Sequence, residues 1–285
     1  MYNKVLFIDI PHVYPSVAIL FNNEEILNEL MIMYSPYANL YLTKKLSDIS
    51  KSCIISIDKL GDMYKINFNG ISEYEVDFNK IIEIIEIFLH KVLYTENEYL
   101  FLHGAALSLN KTGFLILGGT GSGKTTLTTY LLQDEFKYIT DDKIIVNAVN
   151  GKICLFNRPI QLRKGGKSVL SEKYGYNLKL KEKVYTNKDE RYLLDVNDNV
   201  SDNYLCVRKI FIINRRTNGD ATCFKIDKES AFNSIISNLY SSAKIKQNVE
   251  YIIELIKNTD IYCLKYSKMC DAKKYIWKII SENLL

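Results

Sequence analysis

The chain of 285 residues is long enough for one large domain or two small ones, and its formal net charge is only +4. Hydrophobic residues make up 47% and charged residues 25%, which is typical of a folded globular protein. The weak charge does not favour a nucleic-acid-binding protein, although it suits an anionic ligand.

Six cysteines are scattered along the chain without a C-x-x-C pair, and there are only three histidines. This pattern disfavours a zinc site or a disulfide framework and predicts reduced thiols in a cytoplasmic protein. Asp9 and Pro11 interrupt the first apolar run, and no segment reaches about 18 uninterrupted apolar residues. We therefore predict neither a signal peptide nor a membrane span, and no membrane partner.

The N-terminal part of the chain, residues 1–76, predicts a small β-rich lobe with a hairpin around Gly61-Asp62. Apolar residues then recur at helical spacing over residues 78–94, which predicts a helix that packs onto the following core. We therefore expect two parts, the lobe and a second domain of residues 77–285 that contains this helix.

Within the second domain, two strands are predicted at residues 100–109 and 114–117, and a glycine-rich motif follows them. It is the run Gly118-Gly119-Thr120-Gly121-Ser122-Gly123-Lys124-Thr125-Thr126. The run matches G-x-x-x-x-G-K-[ST], and the apolar spacing after it predicts a helix. Strand, glycine-rich loop and helix are the context in which this motif binds a nucleoside triphosphate.

The residue types of this loop suit phosphate chemistry. Glycines let backbone N–H groups face phosphate oxygens, and the start of the helix adds unpaired N–H groups. Lys124 can reach the β- and γ-phosphates, and the Thr125 hydroxyl can hold Mg²⁺. The predicted nucleotide-binding residues are Gly119, Thr120, Gly121, Ser122, Gly123, Lys124, Thr125 and Thr126.

A predicted strand at residues 137–146 contains two adjacent acids, Asp141 and Asp142, one helix and one return strand beyond the loop. An NTPase places its Mg²⁺ acid at such a position, and a phosphotransferase also needs a base there. Adjacent residues of a strand point to opposite sides, so both carboxylates can serve one site only if the backbone turns between them. A solvated turn is the alternative interpretation.

The remaining chain adds basic residues and further alternation of strands and helices. Arg158 and Arg163 carry guanidinium groups that match phosphate oxygens, and ordinary surface cations are the alternative. The polar, lysine-rich residues 164–191 are typical of an exposed loop, with a substrate lid as the alternative. Strands are predicted at 152–156, 209–214, 223–226 and 260–266, and helices at 228–241, 246–257 and 271–283.

Several stretches occur together in an order that resembles a known family. They are Leu102-His103-Gly104-Ala105-Ala106, the glycine-rich loop, Asp141-Asp142 and Arg158-Pro159-Ile160-Gln161-Leu162-Arg163. Over residues 95–285 the chain resembles the HPr serine kinase/phosphorylase family, and especially its small members encoded beside peptide-modification genes. Thr125 stands where the family often has serine, which keeps the hydroxyl.

The resemblance implies an α/β fold with a P-loop kinase core, similar to nucleotide-dependent phosphoenolpyruvate carboxykinases, in which helices flank a mixed sheet behind a β-rich lobe. It implies that Asp141 is the general base and Asp142 a Mg²⁺ ligand, although the two roles can be exchanged. It implies that His103, for which a structural strand histidine is the alternative on the residues alone, is a second catalytic group. Arg163, with Arg158 as a further candidate, becomes a group that stabilises the transferring phosphoryl group.

Together these features predict an ATP-dependent serine/threonine kinase that uses Mg²⁺. Its expected acceptor is a hydroxyl of a peptide or small protein, such as a ribosomally made peptide precursor. GTP is the alternative nucleotide, and both a monomer and a homo-oligomer stay open.

Two other hypotheses stay open for the function. A P-loop ATPase or nucleotide switch would position a water molecule and hydrolyse ATP without an acceptor. A small-molecule kinase would instead close residues 164–191 over its substrate.

Overall fold

The computed structural model describes residues 2, 4–9, 16–34, 38–42, 53–95, 99–178, 180–185, 190–194, 196, 200–201, 205–240 and 245–282. Contacts divide the chain into two units. The first comprises Met1–Asn97 with Val184–Glu190, and the second comprises Glu98–Lys183 with Arg191–Leu285. Among the described helices, none combines the length and the apolar character that crossing a membrane requires.

The first unit is built on a six-stranded sheet. Its strands are β1 (Lys4–Ile8), β2 (Val17–Phe21), β3 (Ala38–Leu42), β4 (Cys53–Leu60), β5 (Met63–Phe68) and β6 (Ser72–Val76). The strand order is β3-β1-β2-β4-β5-β6. Only β2 and β4 run parallel among these described pairs. Its helices are α1 (Glu24–Tyr34), a 3₁₀ turn (Phe78–Lys80) and α2 (Ile81–Thr95).

Helix α2 packs on the sheet of the first unit. The ring of Phe88 stacks on Phe68 with centroids 4.3 Å apart and meets Tyr74 edge-on at 5.5 Å. The sequence predicts a boundary after residue 76, with this helix in the second domain. The structure instead groups the helix with residues up to Asn97, because its apolar face is buried against β5. The predicted hairpin around Gly61-Asp62 is present as β4 and β5.

The second unit holds the remaining elements, except that the end of one strand (residues 184–185) and the first residue of the next (Glu190) are grouped with the first unit. The strands are β7 (Tyr99–Leu109), β8 (Thr112–Leu117), β9 (Lys137–Asn147), β10 (Ile160–Arg163), β11 (Leu180–Tyr185), β12 (Glu190–Leu194), β13 (Val207–Arg215), β14 (Thr222–Lys225) and β15 (Asp260–Tyr266). The helices are α3 (Lys124–Leu131), α4 (Lys164–Ser168), a π-helical turn (Val169–Lys173), α5 (Lys228–Ile236), α6 (Ile245–Asn258) and α7 (Met269–Ser281).

A mixed six-stranded sheet with the order β14-β15-β13-β8-β7-β9 forms the centre of this unit, beside a smaller sheet with the order β10-β12-β11. Strands β8, β13 and β15 are parallel, whereas β7, β9 and β14 run antiparallel to their neighbours. Alternate residues of β7 and β8 enter separate buried clusters, one with α3 and α7 and the other with α5 and α6. The predicted mixed α/β architecture with flanking helices is therefore confirmed.

Three local predictions differ from the structure. Residues 152–156 form only isolated β-bridges, at Lys152 and Ile153. Pro159, three residues beyond the predicted strand, has no backbone N–H group and so cannot donate to a strand ladder. Residues 164–191 contain helix and strand instead of a featureless loop. Helix α5 ends at Ile236, because the Ser237 hydroxyl and the Asn238 amide both donate to the Ser234 carbonyl and compete with the helical pattern.

Gly104 lies in β7 in close contact with β8. A Cβ atom at this position would come within 2.6 Å of the Ile116 carbonyl oxygen and 2.6 Å of a Leu117 methyl group. We therefore expect Gly104→Ala to lower the free energy of unfolding by about 1–3 kcal/mol, measured by urea denaturation. Gly165→Ala is the control, since a Cβ atom there meets nothing within 4 Å. Equal denaturation midpoints for the two variants would contradict the expectation.

Candidate active site

The glycine-rich loop, residues 118–123, joins β8 to α3, as the sequence predicts. Gly118 passes so close to β13 that a Cβ atom would stand 2.8 Å from the Ile213 carbonyl oxygen. Gly123, the residue before α3, has a φ of +90°, in the left-handed region that favours glycine. The loop thus keeps its backbone close to the sheet and turns sharply into the helix.

Lys124 is the first residue of α3, and its side chain is buried. Its Nζ atom donates hydrogen bonds to the carbonyl oxygens of Gly118 at 2.7 Å and Gly119 at 3.2 Å. Burial lowers the pKa of Lys124, and the charges of Asp141 and Asp142 oppose this shift. The ammonium group therefore lies against the loop and within the field of both carboxylates.

Asp141 is 6% exposed and lies next to the start of α3. Burial, with the charge of Asp142, raises the pKa of Asp141 to about 6, against the effects of a hydrogen bond from the Thr125 hydroxyl and the charge of Lys124. Its Oδ1 atom is buried and has no hydrogen-bond partner in the described part of the chain. The structure therefore pairs this acid, rather than Asp142, with the hydroxyl of the loop motif.

Thr125 and Asp141 together offer oxygen atoms that suit a divalent cation. Mg²⁺ in nucleotide sites is held by a hydroxyl, one or two carboxylates and the phosphates themselves. The unsatisfied Oδ1 atom of Asp141 is a buried acceptor that such an ion would satisfy. No group of three or more His, Cys, Asp or Glu residues in the described ranges could hold a metal ion. A cation here would therefore depend on phosphate oxygens as further ligands.

His103 and Asp142 form a pair on the neighbouring strands β7 and β9. The Nδ1 atom of His103 is 3.1 Å from Oδ1 of Asp142 and 3.2 Å from its carbonyl oxygen. Since both oxygens can only accept, we place the proton on Nδ1, which leaves Nε2 as the ring atom that can accept a proton. Partial burial alone would raise the pKa of Asp142, but the hydrogen bond from His103 and the charges of Arg158 and Lys143 hold it well below its usual range.

The backbone turns between the two acids. Asp142 has a φ of +70° inside β9, a left-handed conformation that costs energy for most residues other than glycine. In the strand register, Asp141 lies opposite Ala105 and Asp142 opposite Gly104. The backbone therefore makes the turn that two adjacent carboxylates need in order to serve one site. Asp141 has Thr125 as its partner, and Asp142 has His103.

Two residues that no sequence pattern indicates complete the site, Asn238 and Tyr240. The Tyr240 hydroxyl donates to the Asp142 carbonyl oxygen at 2.9 Å and lies 3.0 Å from Nδ1 of His103. The Asn238 carbonyl oxygen accepts from the His103 N–H at 2.7 Å, and its side-chain oxygen accepts from the Gly118 N–H at 3.3 Å. The sequence predicts a helix that continues to residue 241, whereas α5 ends at Ile236. Asn238 and Tyr240 follow this end, so the predicted helix gives no indication of their contacts.

The two predicted arginines occupy different surroundings. Arg158 is 4% exposed, and its Nη2 atom is 3.9 Å from Oδ2 of Asp142. Arg163 is exposed at the end of β10, directly before α4. In α4, a Cβ atom on Gly166 would stand 2.9 Å from the Thr126 hydroxyl, so this segment lies against the first turn of α3. The structure therefore brings Arg158 to Asp142 and places Arg163 at the surface of the segment beside the loop helix.

No family model and no curated protein matches this chain. Among solved structures, the chain is similar to the HPr(Ser) kinase/phosphatase from Coxiella burnetii, with 12% sequence identity and a TM-score of 0.28. The similarity covers 64% of this chain and 94% of that chain.

Proposed function

We propose that this chain is an ATP-dependent P-loop kinase that transfers the γ-phosphate to a serine or threonine hydroxyl of a peptide or small protein. One observation supports the proposal above all: two acids with separate partners lie at one glycine-rich loop, Asp141 with Thr125 and Asp142 with His103. A phosphotransferase uses an acid on the metal side and a base on the acceptor side. A nucleotide switch would need only the first.

In the donor half of the proposed site, the loop N–H groups and Lys124 bind the β- and γ-phosphates. Thr125 and Asp141 would hold Mg²⁺, which would supply positive charge to the phosphates. This assignment exchanges the roles that the family resemblance implies for the two acids. It follows the hydrogen bond between the Thr125 hydroxyl and Asp141.

In the acceptor half, Nε2 of His103 takes the proton of the acceptor hydroxyl. The acceptor oxygen forms a bond to the γ-phosphorus as the bond to the β-phosphate oxygen breaks, and ADP leaves. Asp142 fixes the Nδ1–H tautomer and stabilises the imidazolium that forms, and Tyr240 helps to hold the ring. Arg158, which lies beside Asp142, contacts the transferring phosphoryl group in this proposal, because a guanidinium group matches phosphate oxygens.

The peptide acceptor is the part of the proposal that comes from the family resemblance. The surface that follows Arg163 supports it, because α4 packs beside the loop helix and carries the exposed Lys164. An exposed basic segment at this place suits an extended acceptor that lies on the surface. It suits a small molecule in a closed pocket less well.

The test is incubation of the purified chain with γ-labelled ATP, Mg²⁺ and candidate precursor peptides, followed by mass spectrometry. We expect one added phosphate on a serine or threonine and ADP release that depends on the peptide. Reactions without peptide are the control. ADP release at the same rate with and without every peptide, and no phosphorylated product, would reject the kinase in favour of an ATPase.

A further inference from the structure

An exposed arginine that belongs to none of the motifs lies against the glycine-rich loop. Arg215 is the last residue of β13, the parallel neighbour of β8. A Cβ atom placed on Gly123 would stand 3.6 Å from Cδ of Arg215 and 3.5 Å from the Tyr266 hydroxyl, which are ordinary van der Waals contacts. Among the described residues, no carboxylate forms an ion pair with this guanidinium.

The loop has two flanks, and Arg215 lies on the one opposite the acids. Strand β8, which ends in the loop, has β13 on one side and β7 followed by β9 on the other. His103, Asp141 and Asp142 all lie on β7 and β9. Lys124 lies within the field of both acids, and the proposed function places the transferring phosphate on their flank. A cation on the β13 flank therefore faces the rest of the nucleotide.

We propose that Arg215 is a nucleotide-binding residue that contacts the α- and β-phosphates, the part of the nucleotide that remains in ADP. The inference rests on nucleotide binding by the loop, which is part of the proposed function. A guanidinium fork matches two phosphate oxygens at once, and its exposure leaves it accessible to the ligand. Helix α3 starts at the same point, so its unpaired N–H groups and Arg215 converge on one anion.

The experiment measures calorimetric dissociation constants for ADP and for a non-hydrolysable ATP analogue, with Mg²⁺, on the full chain. We expect Arg215→Gln to weaken both ligands equally, by about tenfold to a hundredfold, the usual effect of losing a charge-assisted hydrogen bond. Arg215→Lys, which keeps the charge and loses the fork, is expected to weaken both ligands less. Arg216→Gln is the matched control, because this neighbouring exposed arginine is fixed through its backbone N–H, which donates to the Tyr266 carbonyl oxygen.

Three results would overturn the inference. They are unchanged affinities in Arg215→Gln, equal weakening in Arg215→Gln and Arg216→Gln, and a loss for the ATP analogue alone, which would place Arg215 at the γ-phosphate. If the unmodified chain binds neither nucleotide, the inference and the proposed function both fail. If it binds both and shows the expected variant effects but phosphorylates no acceptor, the inference stands and the kinase proposal fails.

Discussion

Lys124→Met is expected to reduce phosphoryl transfer by about 10³-fold or more, since it removes the positive charge that the proposed mechanism places beside the transferring phosphate. The ammonium group lies against the loop and is bonded to the Gly118 and Gly119 carbonyl oxygens. Its loss also weakens ATP binding. The fold should persist, because the apolar methionine replaces a charge that burial disfavours. The measurements are transfer of labelled phosphate, the dissociation constant for ATP and the melting temperature.

Lys137→Met is the matched control for this variant. Lys137 is an exposed residue at the start of β9, so the same substitution there removes a lysine without touching the loop. We expect its transfer rate and ATP affinity to equal those of the unmodified chain. A folded Lys124→Met protein with unimpaired transfer would show that this lysine does not act on the phosphate.

Asp142→Asn and His103→Gln are each expected to slow transfer by about 10²–10⁴-fold, the usual contribution of a general base. Each substitution breaks the pair that fixes the tautomer of His103. The affinity for ATP should remain, because the pair lies on β7 and β9 and not in the loop. In the proposed mechanism the two residues act as one unit, so the double variant should be little slower than the worse single variant. Single-turnover transfer rates at saturating ATP measure the effect.

Asp134→Asn provides the control for the Asp142 variant. Asp134 is an exposed acid whose partner is Lys273 at 2.8 Å, and exposed pairs contribute little. We expect no change in transfer. If Asp142→Asn and His103→Gln both kept the full rate while Asp141→Asn lost it, the base would be Asp141, as the family resemblance implies.

The strand, glycine-rich loop and helix could be predicted from sequence because they are local. One strand, one loop and one helix follow each other without a break, so periodicity and the fixed spacing of Gly118, Gly123, Lys124 and Thr125 define them. The next strand carries Asp141 and Asp142, and its short separation from the loop in sequence is what indicates that the two acids could lie near it.

The surroundings of His103 and Asp142 could not be predicted in the same way, because tertiary contacts create them. Tyr240 reaches His103 across 137 positions of sequence, and only the early end of α5 brings it there. The partner of each acid depends on the backbone angle of Asp142, which no pattern encodes. Helix α2 shows the same limit, because an apolar face indicates that a helix is buried and not which sheet covers it.

The left-handed backbone of Asp142 restricts how this position can change during evolution. Besides glycine, asparagine and aspartate enter that conformation most readily, so β9 accepts few other residues there without strain. A homologue that kept the fold without an acid at position 142 would therefore carry asparagine or glycine there. In homologues, asparagine or glycine at position 142 would mark chains that keep this backbone without the carboxylate that the proposed kinase mechanism needs.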